Sequence, residues 1–218
     1  MPSVDEYAAW RGVSAQRVRE LLRAGELPGH RIGARQWIVD DAAFSVRRPL
    51  GQPMSPSMAW ALIASLGGDA RHPDVPAVRV DRLRKYRERL LDAGEEAPEL
   101  MSSWLRRRGE RLVFRAQPAD VGDLLQDPRV LPSGVSDPRS GLASGDVAEV
   151  WLRDYSQLAE LEGDYLLLAD VKGNVVVHRS GLEQRDAVAP LGLVIADLAD
   201  WNGPREDGRV VDLLASIR

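Results

Sequence analysis

The 218-residue chain contains no cysteine. That excludes disulfide scaffolds and thiolate zinc sites, and it suits a reducing cytoplasm. Histidine is nearly as scarce: His30, His72 and His178 are widely spaced, so neither a histidine-rich metal centre nor a bound cofactor is expected. Of 29 Lys and Arg residues only Lys85 and Lys172 are lysine. So uniform an arginine bias reads as the coding habit of a GC-rich genome, and no arginine counts as a phosphate ligand on identity alone. Aromatics make up 6% of the chain. No apolar run approaches the roughly 20 residues that cross a bilayer, and "MPSVDEYAAW" lacks the basic start of a signal peptide. A cytoplasmic protein without a membrane partner is expected.

Catalytic signatures are missing too. No serine sits in a G-x-S-x-G elbow, and "SGVSDPRSGLASGD" is not followed by the strand–loop–helix and Lys of a phosphate-binding loop. Asp120-x-x-Asp123 and Asp197-x-x-Asp200 have one-turn helical spacing, where two carboxylates can share a metal. The same spacing is common on solvated helix faces, and neither pair has a nearby His. His178, beside Arg179 on an expected strand, reads as a surface or partner contact. An enzyme is not expected, nor a metal site.

What is present is a packed core's worth of apolar residues, 44%, and a polarised charge distribution. The net charge is −4, but residues 1–48 carry +2, 79–115 carry +4 and 116–218 carry −9. A mildly basic first half facing nucleic acid and an acidic second half facing something basic is one reading; two ordinary solvated surfaces is the other.

Punctuation divides the chain. Ser3 and Glu6 form a capping-box pattern before a first helix that Gly12 ends. Ser14 caps a second helix, with Gly25 past its end. "HRIGARQWIVD" alternates about Gly33-Ala34 as a hairpin, and "DDAAFSV" is a short closing helix. Pro49, Gly51, Pro53 and Pro56 mark a linker, giving a first domain at 1–47 and a linker at 48–57. A helical segment over 58–110 follows. "SMAWALIASLGG" is a buried helix, and "AVRVDRLRKYRERLLDAG" sets Val80, Leu83, Tyr86 or Arg87, Leu90 and Leu91 against an arginine-rich back. Arg106-Arg107-Arg108 reads as a solvated helix end or as added DNA contacts. From 111 to 218 short strands and helices alternate, and "VFRAQPADVGDLLQDPRVL" beside "VWLRDYSQLAELEGDYLLL" reads as a repeated strand–helix–strand unit. "DYLLLADVKGNVVVHRS" reads as a hairpin turning at Gly173-Asn174, and two final helices break at Asn202-Gly203-Pro204. The fold class expected is α+β.

In "VSAQRVRELLRAGELPGHRIGARQWIVDD", residues 13 to 41, Val18, Leu21 and Leu22 fall at i, i+3 and i+4 and face inward. Gln16, Arg19, Glu20 and Arg23 take the opposite face, with Arg17 on one flank. Val4, Tyr7, Ala8 and Trp10, then Ile32, Trp37 and Val39, complete a small core that Phe44 closes. Two helices at a Gly turn, a hairpin and a closing helix amount to a winged helix-turn-helix.

"YAAWRGVSAQRVRELLRAGELPGHRIGARQWIVDDAAF" resembles the excisionase and MerR-like winged DNA-binding domains: an Ala-rich first helix, a Gly-Val-Ser turn, a Val-Arg-x-Leu helix, a Gly-x-Leu-Pro break and an Arg-x-Gly wing. The resemblance covers about 45 residues. It implies a second helix in the major groove of duplex DNA, with Gln16, Arg17 and Arg19 at base edges or flanking phosphates. Arg31 and Arg35 on the wing would meet phosphate, with Ser14 and Arg23 in the same DNA-facing set. Glu20 would accept from a cytosine amino group, or pair with Arg17 or Arg23. With only +2 on this segment and about four phosphates neutralised per protomer, doubling the salt would cost about tenfold in affinity. A homo-oligomer on a repeated or palindromic site is therefore expected.

The succession "SPSMAWALIASLGG", "RLRKYRERL", "SWLRRRGERLVFRAQPADVGDLLQDPRVLPSGVSD", "VAEVWLRD", "GNVVVHR" and "VIADLADWNGPREDGRVVDLLAS" resembles the AbiEi-like antitoxins of abortive-infection toxin–antitoxin pairs, over most of residues 53 to 218. Many members of that group carry a different N-terminal winged domain. The resemblance implies autorepression of the pair's own promoter, a nucleotidyltransferase-like toxin as partner, and neutralisation with or without direct contact. A stand-alone regulator with a ligand-sensing or dimerising C-terminal domain is the alternative. A recombination directionality factor would explain the first domain but not the roughly 170 residues after it.

Overall fold

The computed structural model describes residues 3–11, 13–24, 27, 29–32, 36–39, 50–67, 77–142, 145–181 and 186–217. The fold is mixed α+β, with nine α-helices, a two-stranded hairpin and a five-stranded mixed sheet among the described residues. The chain divides into two compact units, Met1–Pro49 and Leu50–Arg218. No helix among the described residues is long and apolar enough to cross a membrane.

The first unit holds α1 (Val4–Arg11), α2 (Ala15–Ala24), β1 (Gly29–Ile32) and β2 (Gln36–Val39). The capping box forms as its spacing requires: Ser3 N–H donates to Glu6 Oε2 at 2.7 Å and Glu6 N–H to Ser3 Oγ at 3.2 Å. Ser14 caps α2 by accepting from the Arg17 N–H at 3.2 Å. β1 and β2 pair antiparallel from Gly29↔Val39 to Ile32↔Gln36, and Ser3 bridges Ile38 on the outer side of β2. Val4, Tyr7, Ala8, Val18, Leu22, Leu27 and Val39 make the core, with Ala15, Leu21 and Trp37 against it. The helix stops at Gly12 and Gly25, the turn at Gly33-Ala34 and the closing helix with Phe44 lie outside the described residues, as do the Trp10 and Ile32 side chains.

In the second unit the helical segment and the α+β segment share one core. α3 (Pro56–Leu66), α4 (Ala77–Asp92) and α5 (Ala97–Trp104) pack with α8 (Leu191–Ala199) and α9 (Pro204–Ser216). α3 is capped by Ser55 and buries seven of its eleven residues, which its almost unbroken apolar sequence requires. In α4 Leu90 is fully buried and Leu83 and Leu91 are partly buried, whereas Val80, expected on that face, is exposed.

The sheet comprises β3 (Glu110–Arg115), β4 (Val130–Pro132), β5 (Ala148–Leu152), β6 (Leu168–Ala169) and β7 (Val175–Arg179), in the order β4-β5-β7-β3-β6. β5 and β7 run parallel; every other pair is antiparallel. Alternation divides the strands between two faces. Val150, Leu152, Val175, Val177 and Phe114 pack with α6 (Val121–Gln126) and α7 (Leu158–Asp164). Leu131 and Trp151 point the other way, into the helical core.

The hairpin expected at Gly173-Asn174 does not form: β3 lies between β6 and β7. The link instead crosses the end of β3. Asp170 N–H donates to the Val113 carbonyl at 3.1 Å, and Asn174 Oδ1 accepts from the Ala116 N–H at 2.9 Å. A Cβ on Gly173 would sit 1.9 Å from the Phe114 carbonyl oxygen, so glycine is needed for this close crossing rather than for a two-residue turn.

Candidate functional site

Two constellations carry polar chemistry. The first is the exposed face of α2. Val18 and Leu22 anchor the helix from behind, and Gln16, Arg17, Arg19, Glu20 and Arg23 are exposed in front. Glu20 organises that face: Gln16 Nε2 donates to its Oε1 at 3.4 Å, and Arg17 Nη1 to its Oε2 at 3.4 Å. Arg19 reaches toward Asp5 of α1, with a 4.0 Å separation between Nη2 and Oδ1. Ser14 sits at the N-terminal end as the cap, its hydroxyl engaged with the backbone. On β1 the exposed Arg31 lies over the Trp37 ring, 5.4 Å from its centroid. Arg35 lies outside the described residues.

All these ion pairs are solvent-exposed and worth at most about 1 kcal/mol each. A phosphate can therefore displace them. What the surface offers is a row of guanidiniums held on a rigid aliphatic base.

The second constellation is buried, and sequence reasoning missed most of it. Glu149 on β5, His178 on β7 and Asp197 on α8 bring ligand-type atoms within 4.8 Å of one another. His178 is 2% exposed, so it is a core residue and not a surface contact. The reason is its strand: β7 runs between β5 and β3 with both faces covered, so alternation exposes neither side.

Each carboxylate is saturated with protein donors. Asp197 Oδ1 accepts from Arg108 Nη2 at 2.7 Å and Nε at 3.2 Å. Its Oδ2 accepts from Ser133 Oγ at 2.5 Å and Trp151 Nε1 at 2.7 Å. Glu149 Oε1 accepts from His178 Nε2 at 2.9 Å, while Oε2 accepts from Trp201 Nε1 at 2.7 Å and the Val135 N–H at 3.1 Å. His178 stacks on Trp151 with ring centroids 4.8 Å apart and planes 13° from parallel.

Arg108 closes the network. Its Nη2 also donates to Asp200 Oδ2 at 2.6 Å, so the Asp197-x-x-Asp200 pair grips a guanidinium where a metal was conceivable. Burial works against the charged form, but Asp200 and Asp197 outweigh it and hold the Arg108 pKa above the ordinary arginine value. Arg106 and Arg107 are exposed; Arg108 is neither a solvated helix end nor a DNA contact.

A cation at Glu149, His178 and Asp197 would have to evict the Trp151 and Trp201 indoles, the Ser133 hydroxyl and the Arg108 guanidinium from the carboxylate oxygens they occupy. The donor set therefore does not fit a metal. The arrangement clamps α8 to the sheet through strands β5 and β7.

Comparison with known protein families, with curated proteins and with solved structures finds no match.

Signals for the buried network did exist. Glu149 is the lone charge in "VAEVWL", and Asp197 interrupts "LGLVIADLA", the most apolar helix among the described residues. An isolated carboxylate in a fully apolar run must find a partner or stay out of the core.

Proposed function

We propose that this chain is a DNA-binding regulator and the antitoxin of a toxin–antitoxin pair. In this reading the first unit is a winged helix-turn-helix, α2 enters the major groove, and the β1–β2 hairpin is the wing. Gln16, Arg17 and Arg19 address base edges and flanking phosphates. Ser14, Arg23, Arg31 and Arg35 position the domain on the backbone. The second unit counteracts a nucleotidyltransferase-like toxin, and the whole represses its own promoter as a homo-oligomer on a repeated site.

One observation carries the DNA-binding part: α2 presents every one of its arginines to solvent while Val18 and Leu22 fix the helix from behind. The antitoxin part is supported by the sequence resemblance over residues 53 to 218 and by the −9 charge of residues 116–218, which suits a basic partner. The buried network supports a structural role for Glu149 and Asp197, because both oxygens of each are engaged by protein donors.

The decisive experiment titrates the full chain against its own upstream DNA and against a random duplex at low and moderate salt. Preferential, salt-sensitive binding that Arg17→Ala/Arg19→Ala/Arg23→Ala abolishes is the expected result. Failure to bind its own upstream DNA at low salt would overturn the DNA-binding part. Co-expression with the neighbouring gene tests the other half: growth rescue is expected, and a toxin that still kills refutes it.

A further inference from the structure

Helix α4 has a second cationic face that the reading of the first unit does not use. At 3.6 residues per turn, Arg79, Arg82, Lys85 and Arg89 fall on one stripe of "AVRVDRLRKYRERLLD", together with Tyr86. Leu83 and Leu90 point into the core along the Arg79 edge of the stripe, about 20–40° from Arg79 around the helix. The three acids of the helix, Asp81, Glu88 and Asp92, border the stripe along its Lys85 edge. Asp81 and Glu88 flank Arg84, whose guanidinium reaches them at 2.9 Å and 4.0 Å. Among the described residues no acid lies within 4.0 Å of the charged nitrogens of the four stripe residues, and all four are exposed.

Two of the four are held in place by aromatic rings. The Arg82 guanidinium lies 5.5 Å from the Tyr86 centroid and donates to the Tyr86 hydroxyl at 3.0 Å. Arg89 lies 5.5 Å from the centroid of Trp104 on α5. The two rings meet edge to face at 5.0 Å. This stacking lowers the entropy lost when the guanidiniums bind, and leaves their remaining N–H groups free to donate.

From Arg79 to Arg89 the stripe covers about 15 Å, a length over which duplex DNA displays about nine phosphate charges. A band of four exposed cations on a rigid helix, bordered by acids along one edge only, matches a phosphate backbone. A protein partner would be expected to meet exposed apolar or aromatic anchors at the centre of the face, and the stripe's one ring, Tyr86, is half-buried against the core and engaged by Arg82. We infer that α4 is a second duplex-DNA surface, sequence-independent, that adds phosphate contacts to those of α2. The inference rests on the DNA-binding reading of the first unit.

The test compares full-length wild type with Arg79→Gln/Arg82→Gln/Lys85→Gln/Arg89→Gln and with Arg17→Ala/Arg19→Ala/Arg23→Ala, titrated with upstream and random duplexes across a salt series. The α4 variant should lose affinity for both duplexes by the same factor, keeping its preference. Its log–log salt slope should fall by about three to four, near 0.9 per lost phosphate contact. The α2 variant should lose the preference instead. Because Arg82 and Arg89 also pack on rings, Arg79→Gln/Lys85→Gln, which disturbs neither ring, serves as a second variant and should lower the slope by about two. An unchanged slope in both α4 variants overturns the inference while the DNA-binding reading stands. A loss confined to single-stranded RNA, with duplex binding intact, overturns it in favour of RNA. Wild type that binds no duplex at low salt refutes both.

Discussion

Trp151 on β5 donates its indole N–H to Oδ2 of Asp197 on α8 at 2.7 Å. Ser133, next to β4, donates to the same oxygen at 2.5 Å, and Arg108 takes the other at 2.7 Å. One helix carboxylate thus gathers the segment after α5, the end of β4 and the middle of β5. Asp197→Ala would leave a buried guanidinium, an indole N–H and a hydroxyl short of acceptors, at a cost of about 3–5 kcal/mol. Urea unfolding reads this as a lower midpoint at unchanged m-value. A loss below about 1 kcal/mol would show that the network does not clamp α8 to the sheet.

Gly134 faces this network from above, at φ +51°. A Cβ there would lie 1.7 Å from Glu149 Oε2, and Glu149 cannot swing aside because His178, Trp201 and the Val135 N–H hold it. Gly134→Ala should cost about 3 kcal/mol or more, combining left-handed backbone strain with displacement of the carboxylate. Gly141 supplies the control: its φ is +66°, but its nearest neighbours are Arg209 side-chain atoms at 3.7 Å and beyond. Gly141→Ala should cost only the conformational penalty, about 1–2 kcal/mol. Equal losses at the two positions would refute the steric argument.

Acid stability depends on a different carboxylate. Asp127 follows α6 and accepts from Arg129 through both side-chain oxygens, at 2.9 Å and 2.6 Å, and from the Tyr165 hydroxyl at 3.0 Å. The Arg129 hydrogen bonds, with further help from its backbone N–H and Tyr165, hold the Asp127 pKa down at about 2, below its ordinary 3.8. A depressed carboxylate pKa lends stability that is complete above the unfolded value. That stability is lost as pH falls from near 3.8 toward 2, on the order of 1–2 kcal/mol. Asp127→Asn should therefore lower stability at pH 7 and flatten its decline between pH 4.5 and 2, followed by thermal unfolding across that range. An equally steep acid limb in the variant would assign the decline to other groups.

The caps and cores of single helices were legible in the sequence; the pairing of distant elements was not. Ser3 with Glu6, Ser14, the buried run of α3 and the break at Asn202-Gly203-Pro204 are local features, each resolved within a few residues. The β6–β7 link misled because Gly173-Asn174 satisfies hairpin chemistry, while period-2 alternation is silent about β3 inserting between the two strands. Arg108 was hidden in an arginine run, and its partners stand 89 and 92 residues further along. Nothing in a one-dimensional pattern selects Arg108 over Arg106 or Arg107 for burial. The α2 face was fully legible because helical periodicity alone decides which residues it presents.

Glu20 gives that face its sharpest test. It is the single acid on α2, and it holds Gln16 and Arg17 at 3.4 Å each. If α2 meets a phosphate backbone, Glu20 both repels the DNA and occupies two groups that would otherwise reach it. Glu20→Gln removes the charge, keeps the helix propensity and releases Arg17. Affinity for upstream and random duplexes should then rise together, about two- to fivefold, the scale of one exposed charge interaction. Should Glu20 instead accept from a cytosine amino group, the same substitution would weaken the upstream site alone and relax preference at one base pair. A titration that shows neither change would place Glu20 away from the duplex and move the DNA-facing surface off the centre of α2.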